Sequence, residues 1–205
     1  MTEELQACLD ALYDAKVPSS WLFTVAGDEF SWILPTLGLW FTCLINRDDQ
    51  DREWLTRGRP HTYWLTGFFN PQGMLTAMKQ EVCRKHQKDT VKWALDDIVY
   101  HTEVTQYEKT DHVKSSPAEG CYIHGLSLEG CAWSRDQQQL IESDPKTLFV
   151  LLPVLYVSAN LKSEEARIKR DYFGAQGPYE CPCYKYRSRT DRYLIFMVNL
   201  KCTPE

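Results

Sequence analysis

At 205 residues the chain is long enough for one sizeable domain or two small lobes, since domains commonly run to roughly 100 to 200 residues. With 43% hydrophobic and 13% aromatic residues the composition excludes intrinsic disorder, and a formal net charge of −5 excludes the broad basic surface that binding to nucleic acid or to an anionic membrane requires. No apolar run approaches the roughly 20 residues that cross a bilayer, so a cytosolic protein with protein partners is expected.

The opening MTEELQACLDALYDAK is acidic and amphipathic, unlike a signal peptide. Leu5, Cys8, Leu9 and Leu12 form one stripe, Glu3 and Glu4 suit the first turn, and Val17-Pro18 ends the helix. After a turn through Ala26-Gly27-Asp28, Pro35 opens a second helix with Leu37, Trp40, Phe41 and Leu44 on one face. The run Asn46 to Asp51 reads as a polar break, Trp54-Leu55 as the start of a short helix, and residues 57–60 as a loop. Asn70 is then a good N-cap, with Pro71 at the first helical position, where its missing N–H costs nothing. Phe69 and Met74 have the spacing of a hydrophobic staple. Leu75, Met78 and Val82, widened by Met74 and Ala77, give the buried face of a helix running to about His86, and Lys79, Gln80 and Glu81 are left for water or a partner.

Near Lys88 to Trp93 the period changes from 3.6 to 2. Ile98, Tyr100, Thr102 and Val104 alternate with Val99, His101 and Glu103; after a turn over residues 115–120, residues 121–130 read as a second strand. Leu148 to Val157, Tyr179 to Tyr186 and Tyr193 to Leu200 complete at least five strands. The charged segment Ser163 to Asp171 reads as a solvated excursion between strands. The fold class expected is α+β: a helical lobe over residues 1–92, then a small antiparallel β-barrel-like lobe over residues 93–205.

No glycine-rich phosphate loop of the form G-x4-GK[ST] occurs, and His61, His86, His101, His112 and His124 have no metal-ligand spacing. The eight cysteines are dispersed through apolar contexts and are expected as reduced, buried thiols. Cys181 and Cys183 lack the second ligand pair that structural zinc wants, and read as alternate residues of a strand. Lys185 and Arg187 near Cys181 raise the question of a lowered thiol pKa, for which inert packing is the simpler reading. Asp96 and Asp97, adjacent on an extended segment, point oppositely and suit a boundary better than acid–base work. Tyr122, His124, Tyr184, Tyr186 and Arg187 are the residues a stacking platform for single-stranded nucleic acid would use, and the acidic balance argues against one. The expectation is therefore no catalytic, cofactor-binding or metal-ligating residue and no cofactor. Lys79, Arg84 and Lys85 are expected on a solvated face.

WLTGFFNPQGMLTAMKQEV closely resembles a segment in the C-terminal domain of dynein heavy chains, and WALDDIVYHTEVT, PAEGCYIHGLSLEGCAW, LFVLLPVLYV and YECPCYKYRSRTD follow in that family's order. The resemblance covers essentially the whole sequence and is nearer to axonemal (ciliary) heavy chains than to cytoplasmic ones. It implies a helical part that packs against the AAA+ ring and linker of the same heavy chain, with a small barrel beside it, supporting the ring and tuning motor output. Other dynein subunits would be partners, and the location the cytoskeleton of the cilium, in the axoneme. ATP hydrolysis would belong to upstream modules and microtubule binding to a stalk outside this sequence, so no catalytic residue is carried over. A stand-alone interaction module that kept the fold is the alternative. Two departures stand out: Met74 replaces a common Phe, and relatives usually continue beyond Thr203-Pro204-Glu205 into a final strand. The expectation is a barrel lacking that strand, with an open sheet edge and either weak self-association or lower stability than a longer polypeptide.

Overall fold

The computed structural model describes residues 2–21, 24–25, 28–29, 34, 36–88, 93–185 and 189–202. It divides into two compact units, residues 1–59 and residues 60–205. That division of contacts falls earlier than the change of period near Lys88.

The first unit holds α1 (Glu3–Tyr13), β1 (Thr24–Val25), β2 (Asp28–Glu29) and α2 (Leu37–Arg57). The Thr2 hydroxyl accepts the Leu5 N–H at 3.3 Å and starts α1. At its other end Lys16 N–H reaches the Ala11 carbonyl and Ala15 N–H the Leu12 carbonyl, a Schellman arrangement that puts Ala15 at φ +54°. β1 and β2 pair antiparallel around the expected turn, whose Ala26 and Gly27 lie outside the described residues, as does Pro35. Thr36 caps α2 through the Leu39 N–H.

The polar break expected at Asn46 to Asp51 is not there: α2 runs through it for 21 residues. Arg52 pairs with Asp48 at 2.8 Å and Arg57 with Glu53 at 3.5 Å, both one turn apart, so the charges decorate the solvated side of a continuous helix. Gly58, at φ +88°, ends it. Trp21, Trp40 and Phe41 cluster, the two indole centroids 5.3 Å apart.

The second unit is α+β. β3 (Thr62–Trp64) precedes α3 (Pro71–Lys85); then come β4 (Ile98–Val104), β5 (Cys121–His124), β6 (Ser127–Glu129), β7 (Cys131–Ser134), β8 (Gln139–Glu142), β9 (Phe149–Leu151), β10 (Leu155–Leu161), α4 (Lys162–Phe173), β11 (Tyr179–Tyr184) and β12 (Leu194–Leu200). The main sheet has the order β3-β5-β10-β4, with β10 matched to β4 from Leu155↔Val104 to Leu161↔Ile98. Its β3–β5 pair is parallel, a departure from the antiparallel expectation. The β6–β9, β7–β8 and β11–β12 ladders are antiparallel, the last with a register shift between Cys183 and Tyr184. β12 meets β4 where the Thr102 hydroxyl accepts the Asn199 N–H at 2.6 Å in a buried setting. Among the described residues the ladders do not close into a hydrogen-bonded barrel.

Three expectations for strands and loops are corrected. The strand expected over residues 121–130 is cut by Gly125 at φ +87°, where a Cβ would stand 2.3 Å from Trp64 Cδ1, and its halves join different ladders. The strand expected from Leu148 to Val157 is divided by the segment holding Pro153, whose lack of an N–H suits it to a break. The charged segment Ser163 to Asp171 is helix α4, with Glu164 and Glu165 in its first turn and Lys169 bonded to Glu165 at 2.9 Å. The β7–β8 hairpin, turning at Gln138 with φ +52°, was not foreseen from the sequence.

Among the described residues the buried hydrophobic side chains of the core lie in this unit. Leu65, Leu75, Ile98, Ile123, Leu155 and Leu200 have almost no exposed surface, each such burial contributing roughly 1.5–3 kcal/mol before cavity effects. α3 packs as its stripe predicts: Asn70 Oδ1 accepts the Gly73 N–H at 2.9 Å, and Pro71, Leu75, Met78 and Val82 are buried. The staple residues are peripheral, since Phe69 is 46% exposed and Met74 half-buried.

Candidate functional site

Among the described residues, those singled out for chemistry are spread over several ladders and turns. Cys181 and Cys183 alternate on β11 opposite Val198 and Phe196, and all eight cysteines are free. Burial pushes the Cys181 thiol up and the Cys183 thiol up to about 12, so both stay protonated, the opposite of an activated nucleophile. Arg187 and Tyr186 lie outside the described residues. Asp96 and Asp97 sit exposed on a single 3-10 turn at the start of β4.

The histidines have separate surroundings. His61 Nδ1 lies 3.1 Å from the Ser116 hydroxyl, and His86 stacks on Trp93 with centroids 4.1 Å apart while its Nε2 lies 3.0 Å from Glu119. Burial lowers the pKa of His124. His101 is buried on β4, and burial, opposed by Glu103, lowers its pKa. Among the described residues no group of three or more His, Cys, Asp and Glu is placed to hold one metal ion. Tyr122 packs between Tyr107 and Tyr156, at 5.9 and 5.7 Å, while Tyr184 belongs to another ladder, so Tyr122 and Tyr184 do not share one strand pairing.

Two of the three cations expected on a solvated face have structural work inside the unit. Lys79 donates to the Ile98 carbonyl at 2.9 Å and lies 3.9 Å from the Tyr100 ring centroid, and burial lowers its pKa. Lys85 donates to the Ala118 carbonyl at 2.7 Å. Arg84 is exposed.

What the structure does present is apolar surface in the first unit. Before Arg59 the buried side chains among the described residues are Pro18 and Arg47. On α1, Leu5, Leu9 and Tyr13 stand one turn apart and exposed, Tyr13 at 92%. On α2, Leu37, Trp40, Cys43, Arg47, Gln50 and Trp54 trace a half-buried to buried stripe at three- and four-residue steps. Phe41, Leu44 and Ile45, continued by Leu55 at 87%, trace a second stripe open to solvent. Sequence periodicity puts Leu37, Trp40, Phe41 and Leu44 on one face; the structure splits them. The exposed side chains Leu5, Leu9, Phe41, Leu44, Ile45 and Leu55 carry no ionisable or nucleophilic group, so what they offer is apolar surface.

No helix among the described residues is long and apolar enough to cross a membrane. The sequence is 44% identical over 201 residues to dynein axonemal heavy chain 5 of Mus musculus and 43% identical to dynein axonemal heavy chain 8 of Homo sapiens, each alignment covering 98% of this protein. It is 44% identical over 198 residues, 96% of its length, to the dynein gamma chain of the flagellar outer arm of Chlamydomonas reinhardtii. It spans about 4% of the length of these curated relatives. The family described as the C-terminal domain of the dynein heavy chain matches residues 1–205, end to end, and to that family this protein belongs.

Proposed function

We propose that the protein is the non-catalytic C-terminal domain of an axonemal-type dynein heavy chain, serving a motor complex for microtubule-based ciliary movement in the axoneme. The observation that carries this reading is the near-complete alignment, at 43–44% identity, with heavy chains named axonemal or flagellar. In this proposal the helical lobe, residues 1–92, packs on the AAA+ ring and linker of the same heavy chain, and a barrel-like lobe, residues 93–205, lies beside it. Together they support the ring and tune motor output. The exposed stripes on α1 and α2 support the docking role, and the Thr102–Asn199 bond supports a wrapped arrangement of strands. ATP turnover is assigned to the remainder of the heavy chain, and contact with the microtubule is indirect. Other subunits of the dynein complex are partners; nucleic acid and membrane are not.

The test compares the complete heavy chain with one lacking residues 1–205 in a microtubule-gliding assay. Retained ATP-driven gliding with altered speed or force is expected. Unchanged motor output would refute support and tuning, and ATP turnover by the purified 205-residue protein would refute the non-catalytic assignment. AAA+ coding sequence directly upstream of Met1 in the transcript separates this reading from a stand-alone module.

A further inference from the structure

His101 lies in the middle of the longest ladder, opposite Ser158 of β10, with 5% of its surface exposed. It and Glu103 share the face of β4 that α4 covers, because alternate residues of a strand point the same way. Tyr172 and Phe173 turn ring edges and faces toward the imidazole, with centroids 5.8 and 5.9 Å away and planes at 85° and 68°. Its polar contact is Nε2 to Glu103 Oε1 at 3.2 Å.

The groups that act on this ring come from each neighbouring element. Glu103 stands on its own strand, and Glu165, Lys169 and Tyr172 on α4. β10 contributes the uncharged Ser158, whose hydroxyl accepts from the Asn160 amide at 2.9 Å. Lys169 is itself held by Glu165 at 2.9 Å and by Glu180 of β11 at 2.6 Å, and Lys201 Nζ lies 6.0 Å from the Tyr172 ring. The carboxylates favour an imidazolium; Lys169 opposes it, and burial, the largest influence, opposes it too.

We propose that α4 is a pH-responsive latch, closed on β4 while His101 is neutral and loosened when His101 takes up a proton. Lifting α4 brings His101 into water, where it regains its ordinary proton affinity, so acid favours the lifted form. The sign follows from linkage: a histidine whose pKa is depressed in the closed form contributes fully above its ordinary value of about 6.5 and progressively less as pH falls below it. Because Lys169 joins α4 to Glu180, loosening the helix also frees a contact to β11. The latch does not depend on the proposed function.

Amide hydrogen exchange of the 205-residue protein at pH 7.5 and 5.5, corrected for intrinsic rates, tests it. Peptides covering Lys162–Phe173 are expected to lose protection relative to the rest of the sheet, up to the roughly tenfold ceiling set by one imidazole over that range. The His101 ring followed by NMR should titrate below about 6.5. His101→Gln, which can still donate to Glu103, should abolish the pH dependence, and Glu103→Gln should move the midpoint to lower pH. Equal protection of α4 at both pH values, the same loss in His101→Gln, an imidazole titrating at or above its ordinary value, or an unmoved midpoint in Glu103→Gln would each overturn the proposal. The native protein and Glu103→Gln carry the test even if His101→Gln does not fold.

Discussion

α2 and α3 are built from similar material and put it to different use. α2 is the longer, at 21 residues against 15, and carries Leu37, Leu39, Phe41, Leu44, Ile45 and Leu55, yet its one buried residue is Arg47. α3 buries Leu75, Met78 and Val82 together with Pro71. Helix propensity does not separate the two, since both have side-chain N-caps and several strong helix formers. What separates them is a sheet to lie on: α3 has one within its unit, whereas the apolar stripe of α2 at Phe41, Leu44, Ile45 and Leu55 stays open. An apolar helix face thus records a need for a partner, and only the structure tells whether that partner lies within the same polypeptide.

The comparison is broken most severely by emptying the core of the second unit. Leu155 has no exposed surface and sits on β10 between β4 and β5. Leu155→Ala removes buried methyl groups that the sheet cannot close over, and is expected to cost about 2–5 kcal/mol, read as a lower urea midpoint at unchanged slope. A cost under about 1 kcal/mol would mean that this core is no better packed than the first unit.

Next in size is the join between β12 and β4. Thr102→Val keeps the shape but deletes the acceptor of the Asn199 N–H, leaving a buried donor whose cost is about 1–3 kcal/mol. Hydrogen exchange should report the loss at β12. If stability is unchanged, the wrapped arrangement proposed for these strands loses its support.

Much of the second unit was legible because its signals are local. The Asn70-Pro71 start of α3 is fixed by backbone groups within three residues, and the alternation in Ile98–Val104 and the apolar run Leu194–Leu200 both mark strands that contribute buried residues to the core. Pairing was less legible: nothing in Thr62–Trp64 announces a parallel partner in β5, and a glycine at φ +87° decides where one strand becomes two. α4 has so weak a sequence signal because only Glu165, Ile168, Lys169 and Phe173 escape full exposure, amid charges that pair one turn apart. The same reasoning misread Asn46 to Asp51 as a break. For the candidate surface, periodicity identified apolar stripes but could not show which would remain uncovered. The His101 environment depends on Tyr172 and Phe173, some seventy positions away, and so has no local signature.

A smaller effect sharpens the first unit. Ala15 holds φ +54°, a conformation that costs a residue with a Cβ about 1–2 kcal/mol, as the C-terminal stop of α1. Ala15→Gly relieves it, offset by extra freedom in the unfolded state, and a net gain of about 0.5–1 kcal/mol in α1 protection is expected. Loss of protection would show that the left-handed residue is not what limits this helix end.

The smallest expected effect is the most discriminating. Leu55 is 87% exposed in the last turn of α2, and Gln is nearly as good a helix former, so Leu55→Gln gives up neither burial nor much propensity. The change in urea stability of the 205-residue protein should lie within about 0.5 kcal/mol, although a leucine is replaced by a polar residue. Set beside Leu155→Ala, it asks whether the two units differ as their exposures imply. A cost above about 1 kcal/mol would mean that Leu55 is covered within the protein itself, and the α2 stripe could then no longer be read as a surface left for another part of the heavy chain.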